Sequence, residues 1–362
     1  MVDLADFGWN DDVDTAFRPY AQAGLLPGRI ARQSRDLSLV LTADGDRDAH
    51  VSGRFRRSAL AGSAFPAVGD WAALRGAPDG HRVIDAVLPR RTAFARKSAG
   101  DAVEAQVVAA NVDVVLLVSG LDGDFAPRRI ERYVTTAWSS GAQPVIVLNK
   151  ADLAPGLADA IAAAAAVAPG VPIVTTTAVD PCGLDSLKGY LLPGRTIALL
   201  GSSGVGKSTL INSFLGEDRF DTSAVSSAHA GRGRHTTTAR ELVRLPNGAL
   251  LIDTPGMREL GLWADREALD RTFDEIDHLA QGCRFPDCAH RGEPACAVRA
   301  AVDAGELDAE RFGSYLTLAR ELDSIEIRQD DKARRRHEKV VGRDFAARRH
   351  EVKKNNPRYG QR

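Results

Sequence analysis

The spacing of apolar and polar positions changes twice along the chain. Between Gly28 and about Arg91 it is short and β-like, and clusters of Gly, Pro and Asp separate the pieces. Five short strands in about 65 residues are typical of a small barrel, for which an OB-fold is one candidate. Such barrels often bind nucleic acid, and a purely structural β-module is the alternative. The predicted strands are GRIARQ, DLSLVLT, HVSGRFRR, DWAAL and RVIDAVL.

From about Asn111 to Leu262, strands and helices alternate. Buried strands are predicted for DVVLLVS, PVIVLN, PIVTTT, TIALLG and ALLIDT, and helices for RRIERYVTTAWSSG and LADAIAAAAAVA. Alternation of this kind builds a mostly parallel, doubly wound sheet. The first ~25 residues lack a sustained apolar period and are interpreted as a polar lead-in, whereas the segments beyond residue 265 look helical and polar.

A chain of 362 residues is too long for one ordinary domain, and its apolar fraction of 44% is ample for several packed cores. We therefore predict a multidomain protein. Its parts are an N-terminal extension (1–27), an OB-like β-barrel (28–98), a central α/β domain (99–265), a mostly helical domain (266–331) and a C-terminal tail (332–362).

One segment has the pattern of a phosphate-binding loop. GSSGVGKST matches G-x-x-x-x-G-K-[ST] and lies between the strand TIALL and the helical LINSFLG. Its glycines let backbone N–H groups wrap phosphates where a Cβ would clash. We expect Lys207 to reach the β- and γ-phosphates and the Ser208 hydroxyl to ligate Mg²⁺. The predicted phosphate-binding residues are Gly201, Ser202, Ser203, Gly204, Val205, Gly206, Lys207, Ser208 and Thr209.

A D-x-x-G tetrapeptide follows at the end of another apolar strand. In DTPG, Asp253 is predicted to lie near the metal ion and Gly256 to sense the γ-phosphate. An isolated D-x-x-G is weak evidence. Here it begins 52 residues after Gly201, at the end of a predicted buried strand, and that context supports the assignment.

The tetrapeptide NKAD, which begins at Asn149, indicates guanine. The Asp152 carboxylate can accept both the N1–H and the exocyclic amine of guanine, a pair of donors that adenine lacks. Asn149 and Lys150 would brace the loop and cover the ring plane. The next strand ends in VTTTA, where a backbone N–H around Thr177 and Ala178 can reach the guanine oxygen. A helix-opening turn is the alternative interpretation of NKAD taken alone.

The motifs run in a rotated order. An ordinary GTPase has the phosphate loop first, then D-x-x-G, then N-K-x-D, but here NKAD ends 49 residues before the phosphate loop begins. All these loops lie at the carboxyl ends of parallel strands, so moving the chain termini need not disturb the site. The sequence therefore predicts a circularly permuted guanine-nucleotide GTPase.

With these motifs the chain resembles the circularly permuted, small-ribosomal-subunit-dependent GTPases of bacteria, the RsgA/YjeQ/YloQ family. The match covers roughly residues 28–300: the barrel, the permuted motifs, GRGRHTTT and a cysteine cluster. The resemblance implies an N-terminal OB-fold, a central GTPase and a C-terminal zinc-binding domain. It also implies GTP hydrolysis to GDP and phosphate, with a role in late maturation of the small ribosomal subunit.

The segment GRGRHTTT lies between the phosphate loop and DTPG, where a switch segment belongs. Thr237 is our candidate for a metal-linked switch residue, with the threonines on either side not excluded. Met257 stands where many GTPases have a water-orienting Gln, so slow intrinsic hydrolysis is predicted. The resemblance points to His235 as the catalytic substitute, acting with Lys207, because an imidazole can position or deprotonate water. A basic flexible loop is the alternative.

Three of the four cysteines lie within fourteen residues. Cys283, Cys288, His290 and Cys296 have a C-x₄-C-x-H-x₅-C spacing, and this donor set closes a tetrahedral structural Zn²⁺ site. Unbound, reduced cysteines are the alternative, and Cys182 is left over as an ordinary residue. The module is small and is expected to lack a core without the metal, so metal binding should contribute to its folding.

Charge is distributed unevenly. Residues 332–362 hold 12 Lys and Arg against 3 Asp and Glu, although the whole chain has a formal net charge of −1. A basic tail suits contacts with rRNA, whereas a solvated, frayed terminus is the alternative. The acidic start MVDLADFGWNDDVD resembles no signal peptide and no apolar run spans ~20 residues, so we expect a cytoplasmic location without membrane contact.

The expected partners are GTP and GDP, with Mg²⁺, and the small ribosomal subunit with its rRNA. The protein is expected to act as a monomer. A competing hypothesis is an RNA-binding nucleotide switch in which hydrolysis is incidental. A GTPase acting on tRNA or on a membrane has little support, since no amphipathic membrane helix is evident.

Overall fold

The structure is a computed structural model that describes residues 3–34, 37–58, 64–77, 80–97, 105–177, 181–218, 240–253 and 264–327. It contains a closed barrel, an α/β sheet and a helical C-terminal region, in that order, so the predicted fold class is confirmed. In the part of the chain that is described, no helix is both long and apolar enough to span a bilayer.

Five strands close the barrel in the order β1-β2-β3-β5-β4, and β4 pairs back onto β1. All of these pairings are antiparallel except that of β3 with β5. Alternate side chains of the strands fill the interior with a small apolar cluster that includes Ile30, Val40 and Ile84. The strands are β1 (Leu26–Gln33), β2 (Ser38–Thr42), β3 (Gly45–Val51), β4 (Trp71–Gly76) and β5 (Arg82–Val87).

The predicted strand HVSGRFRR is wrong in its second half. β3 ends at Val51, and the arginines that follow belong to a short helix, α2 (Gly53–Ser58). The reason is local: the Ser52 hydroxyl accepts a hydrogen bond from the Phe55 N–H at 3.1 Å, which caps a helix start. The arginines therefore lie on a short helix rather than in the barrel wall.

The expected polar lead-in is also wrong. A 3₁₀ turn (Leu4–Phe7) and helix α1 (Asp11–Gln22) precede the barrel, and Phe7 and Phe17 are buried in a cluster with Trp71 of β4. The apolar residues of α1 recur at helical spacing, which is the signal that the interpretation missed. They are Val13, Ala16, Phe17 and Tyr20.

The α/β domain is built on a sheet with the order β10-β9-β8-β11-β13-β12. Its first five strands are parallel, as predicted, and β12 is antiparallel to β13. Helices α3 and α4 contribute to the apolar cluster on one face and α5 to the cluster on the other, which is the doubly wound arrangement. The sheet strands are β8 (Val114–Gly120), β9 (Gln143–Asn149), β10 (Ile173–Thr175), β11 (Thr196–Leu200), β12 (Glu241–Arg244) and β13 (Leu250–Asp253), and the helices are α3 (Pro127–Ser140), α4 (Leu157–Val167) and α5 (Lys207–Leu215).

The barrel and the parallel sheet are joined along their edges. β12 pairs with β1 through Arg32 and Glu241, so eleven strands form one continuous sheet. A separate antiparallel hairpin, β6 (Ala93–Lys97) and β7 (Ala105–Ala110), lies between the barrel and the α/β domain in sequence and was not predicted.

One buried arginine fastens the barrel to the α/β domain. Arg29 of β1 is 2% exposed, and burial lowers its pKa to about 10. Its Nη2 donates to Thr196 Oγ1 at 2.7 Å and to the Asn111 carbonyl at 3.3 Å. Its Nε donates to the Gly69 carbonyl at 3.3 Å, and its Nη1 donates to the Phe7 carbonyl. The guanidinium is thus held by three backbone carbonyls and one hydroxyl.

The C-terminal region packs against α3 through charged side chains. Glu131 of α3 is fully buried, and its Oε1 accepts from Arg311 at 3.0 Å and from Arg128 at 2.7 Å. The next residue of α3, Arg132, forms a two-pronged pair with Glu321 at 2.6 and 2.7 Å. The region consists of α6 (Arg266–Thr272), α7 (Asp274–Ala280), α8 (Ala297–Asp303) and α9 (residues 309–327).

Candidate functional site

The predicted nucleotide motifs meet at one edge of the parallel sheet. NKAD begins where β9 ends, the phosphate loop follows β11, and Asp253 is the last residue of β13. β11 lies between β8 and β13 in the sheet, and β9 lies on the other side of β8. The carboxyl ends of parallel strands therefore gather motifs that are far apart in sequence.

The phosphate loop depends on glycine at two close approaches. A Cβ at Gly201 would lie 2.3 Å from the carbonyl oxygen of Val118, and one at Gly206 would lie 2.2 Å from Asn149 Nδ2. Gly206 also has a φ of 96°, a left-handed conformation that favours glycine. Helix α5 begins at the next residue, so the loop leads into a helix N-terminus with its free backbone N–H groups.

Lys207 lies against the phosphate loop that precedes it. Its side chain is largely buried, and its Nζ donates to the Gly201 carbonyl at 2.7 Å and to the Ser202 carbonyl. Ser208 and Thr209 follow in the first turn of α5 and are partly exposed. The structure thus brings the predicted cation and the predicted hydroxyl to the same end of the helix.

Asn149 connects the base motif to the phosphate loop. It is 1% exposed, and its Nδ2 donates to the Val205 carbonyl at 2.8 Å. Its Oδ1 accepts from the Thr176 hydroxyl at 3.0 Å. The side chain therefore contacts two loops, as the bracing role predicted from the sequence requires.

Lys150 makes a second connection between the base motif and the phosphate loop. It has a φ of 61°, and its Nζ donates to the Gly204 carbonyl at 2.8 Å and to the Asp122 carboxylate. The hydrogen bond from this ammonium lowers the pKa of Asp122. Asp152 is exposed and accepts from the Thr177 hydroxyl at 2.6 Å, which orients its carboxylate.

Four of the predicted site residues lie outside the described residues: Ala178, His235, Thr237 and Gly256. Their roles stay predictions. The same holds for Met257 and for the basic tail at 332–362.

Sequence reasoning missed one part of the site, the loop after β8. Asp124 accepts from Arg129 Nη1 at 2.7 Å with each of its carboxylate oxygens, and the same nitrogen donates to the Ser202 hydroxyl. The signal was present in LDGDFAPRR, where two acidic residues follow a buried strand and two arginines open a helix. No established motif covers that pattern, so the sequence alone does not assign this loop a role.

The four predicted metal ligands come together. The Sγ atoms of Cys283 and Cys296 are 3.9 Å apart, and His290 Nδ1 lies 3.7 Å from the first and 3.4 Å from the second. All four donor atoms, including that of Cys288, lie within 4.8 Å of one another. The cluster can therefore hold a metal ion.

A carboxylate shapes the loop between the ligands. Glu293 accepts from the backbone N–H groups of Ala289, Arg291 and Gly292 at 3.2, 2.7 and 3.0 Å. Hydrogen bonds from its own N–H and from these neighbours lower its pKa to about 2. This holds the loop in the conformation that gives His290 a φ of 59°.

The expectation that this module lacks a core is wrong. Its helices enclose a buried apolar cluster, and the partly buried Cys283 and Cys288 pack against that cluster. The long-range packing of α9 on the earlier helices supplies the core, and a polar sequence pattern does not reveal it. The buried members are Leu269, Phe273, Ile276, Cys296, Val298, Ala301, Leu307, Leu318, Ala319 and Leu322.

Comparison with known sequences agrees with the resemblance inferred from the motifs. Residues 87–263 match the family model described as RsgA GTPase. The small ribosomal subunit biogenesis GTPase RsgA of Opitutus terrae is 51% identical over 328 residues, which cover 88% of this chain and 89% of that protein. The protein of the same name from Streptomyces coelicolor is 44% identical, with 91% and 90% covered.

Two solved structures are similar over most of their length. YjeQ from Thermotoga maritima has a TM-score of 0.62 at 28% identity, with 82% of this chain and 98% of that chain covered. YloQ, described as a circularly permuted GTPase, has a TM-score of 0.58 at 25% identity, with 83% and 96% covered. The permuted order of the motifs is therefore shared with a structure of that description.

Proposed function

The chain belongs to the RsgA GTPase family and is a GTP hydrolase, and on that premise we propose that it acts on the small ribosomal subunit in a late step of its maturation. The observation that carries the nucleotide chemistry of this proposal is the contact between the base motif and the phosphate loop. Asn149 and Lys150 both donate to carbonyls of the loop, at Val205 and Gly204. One nucleotide can therefore engage both motifs.

Guanine selection is assigned to Asp152. Its exposed carboxylate is oriented by Thr177 and can accept the N1–H and the exocyclic amine of guanine. Asn149 and Lys150 brace the loop, and a backbone N–H around Ala178 would reach the guanine oxygen. In Asp152→Asn an amide replaces the carboxylate, so binding of GTP should fall and binding of xanthosine triphosphate, which has a C2 carbonyl, should rise.

The phosphates are assigned to the loop that ends at helix α5. The backbone N–H groups of residues 201–209 and the Lys207 ammonium would bind the β- and γ-phosphates. The hydroxyl of Ser208, with Asp253 close to the metal, fits the hard oxygen donors that Mg²⁺ prefers. When bound, Mg²⁺ neutralises charge on the phosphates during transfer. Gly256 would sense the γ-phosphate.

Hydrolysis is assigned to the segment between the phosphate loop and DTPG. His235 would position or deprotonate the attacking water, and Thr237 would respond to the metal. Met257 has no group that orients water, so turnover is expected to be slow in the absence of the ribosomal subunit. His235→Ala should abolish stimulation by the subunit and leave GTP binding intact; stimulation equal to that of the wild type would exclude the role.

The four predicted metal ligands are assigned to Zn²⁺, bound in a structural role. Ligands about 2.3 Å from a tetrahedral centre lie about 3.7 Å apart. The separations among the donor atoms of Cys283, His290 and Cys296, 3.4 to 3.9 Å, fit that geometry. Three thiolates and one imidazole complete the coordination shell. One equivalent of zinc by elemental analysis, with loss of zinc in Cys288→Ser, would support the assignment.

The ribosomal partner is supported by the names of the relatives and by charge. The basic tail at residues 332–362 suits contacts with rRNA phosphates. A monomeric protein in the cytoplasm, where it would meet the maturing subunit, is part of the same proposal.

The experiment is steady-state hydrolysis of GTP with and without purified small ribosomal subunits, with ATP as the control nucleotide. Strong stimulation of GTP hydrolysis alone is the expected result. Equal slow rates with and without subunits would contradict the proposal, and they would favour a guanine-nucleotide switch that has another partner.

A further inference from the structure

The loop after β8 holds two cations against the phosphate loop. Asp122 binds Lys150, whose Nζ also donates to the carbonyl of Gly204. Asp124 binds Arg129, which also donates to the phosphate loop. The first of these bridges uses a residue of the NKAD motif. The second has the same arrangement, an acidic residue that holds a cation against the phosphate loop, but Asp124 and Arg129 belong to no nucleotide motif.

Arg129 is fixed from two directions. It lies in the first turn of α3, and its Nη1 contacts both carboxylate oxygens of Asp124 at 2.7 Å. The same nitrogen donates to the hydroxyl of Ser202, the second residue of the phosphate loop. Arginine suits this position because the Nη1 amino group carries two N–H donors, which can serve a carboxylate and a second acceptor together.

We propose that Arg129, held by Asp124, is a positioning residue for the phosphate loop and thereby for the phosphates of the bound guanine nucleotide. This inference rests on the proposed function of the loop. Arg129 fixes the loop at Ser202, as Lys150 fixes it at Gly204 and Asn149 fixes it at Val205. The loop is thus anchored near its start as well as near the helix.

The expected consequence is tighter binding of nucleotide rather than faster chemistry. A loop already held in its binding conformation loses less conformational entropy when the phosphates bind. The guanidinium is paired with the Asp124 carboxylate, so its effect is the anchoring of the loop rather than an added net charge. The anchoring acts on GTP and GDP alike, so it should change KM and Kd and leave kcat at saturation nearly constant.

The neighbouring arginines of α3 serve a different contact, which provides a matched control. Arg132 lies one turn further along and forms its pair with Glu321 of α9, at 2.6 and 2.7 Å. Arg129 is 37% exposed and borders an open groove of about 550 Å³, so its truncation leaves no sealed cavity in the core. Arg129→Ala and Arg132→Ala should both fold, and only the first removes a contact with the phosphate loop.

The experiment measures GDP affinity and the kinetics of GTP hydrolysis for Arg129→Ala, Arg129→Lys, Ser202→Ala and the double variant Arg129→Ala/Ser202→Ala. For Arg129→Ala we expect the Kd for GDP and the KM for GTP to rise about tenfold, with kcat within about twofold of the wild type. Arg129→Lys should recover most of the affinity because it keeps the charge and a donor. The double variant should bind no more weakly than Arg129→Ala, because the two side chains share one contact.

Arg132→Ala is the control for a loss of nucleotide affinity that comes only from a less stable fold. Thermal unfolding of every variant measures that stability. GDP affinity within about twofold of the wild type for Arg129→Ala would overturn the inference, and so would an equal loss in Arg132→Ala. Failure of the wild-type protein itself to bind guanine nucleotides would instead overturn the proposed function, and this inference with it.

Discussion

The α/β domain is attached to its two neighbours by contacts of opposite chemistry. On the barrel side, the buried guanidinium of Arg29 donates to backbone carbonyls and to one hydroxyl. On the C-terminal side, the buried carboxylate of Glu131 accepts from two arginines, and Arg132 pairs with Glu321 nearby. The first contact is between a charge and main-chain dipoles, and the second is between opposite charges.

This difference determines how each interface responds to mutation. A backbone carbonyl stays in place whatever the side chain, so removing the arginine on the barrel side leaves several acceptors unsatisfied. An ion pair has two replaceable partners, and removing both avoids the uncompensated charge that a single replacement leaves behind. The barrel interface should therefore depend on one residue, and the C-terminal interface on pairs of residues.

The largest effect is expected for Arg29→Ala. It removes the guanidinium from a fully enclosed position and takes this donor from the carbonyls of Phe7 and Asn111, which should lower the free energy of unfolding by about 3–5 kcal/mol. The Gly69 carbonyl still accepts from Asn111 Nδ2. Urea-induced unfolding followed by tryptophan fluorescence measures the change, because the ring of Trp71 lies 5.5 Å from this guanidinium. Arg75→Ala removes only an exposed pair with Asp85 and is the control. Equal losses in the two variants would contradict the comparison.

A slightly smaller effect is expected for Glu131→Ala, about 2–4 kcal/mol of unfolding free energy, because Arg128 and the buried Arg311 both lose this carboxylate. Arg311 keeps its pair with Glu275, which limits the loss. The double variant Glu131→Ala/Arg311→Ala should lose less than the sum of the two single losses. Denaturant unfolding of the wild type, the two single variants and the double variant measures the coupling free energy between Glu131 and Arg311. Strict additivity would show that the two side chains stabilise the interface independently.

A loss of about 1–2 kcal/mol is expected for Thr196→Val. The substitution keeps the branched shape and removes the one side-chain acceptor of Arg29, while the carbonyl acceptors remain. The same unfolding measurement applies. A loss as large as that of Arg29→Ala would mean that the hydroxyl, rather than the carbonyls, holds the guanidinium.

The smallest effect is expected for Arg132→Ala. Its pair with Glu321 is about one-third exposed at both ends, so solvent screens it and its loss should cost about 0.5–1 kcal/mol. Raising the salt concentration should narrow the gap between Arg132→Ala and the wild type. The gap between Arg29→Ala and the wild type should hardly change with salt. Thermal unfolding at low and high salt compares the two.

Much of the α/β domain could be predicted because its motifs are local. NKAD, the phosphate loop and Asp253 each come at the end of a run of apolar residues. The carboxyl ends of parallel strands lie at the same edge of a sheet, so these motifs are expected to lie close together. The cluster of Cys and His residues could equally be predicted from its spacing, and its donor atoms lie close together. In these cases the residues that identify the site are close neighbours in sequence.

The remainder depends on contacts between distant segments. β1 has buried residues on both faces, because barrel strands and the α/β domain cover it, so alternation gives no sign that Arg29 is enclosed. Glu131 and Thr135 are polar residues of α3 that look solvent-facing until the C-terminal helices cover them. Arg129 likewise has no motif, and its role emerges only from its contact with Ser202.

The pairing of β12 with β1 also bears on solubility. In the sheet of the α/β domain, β12 would be an edge strand if the barrel were absent, with a row of unpaired N–H and C=O groups. Such an edge is a template for pairing with other chains. By occupying it, β1 covers a surface through which exposed copies of the α/β domain would aggregate. A protein shortened to begin after the barrel should therefore be prone to association through β12, even where its nucleotide motifs are intact.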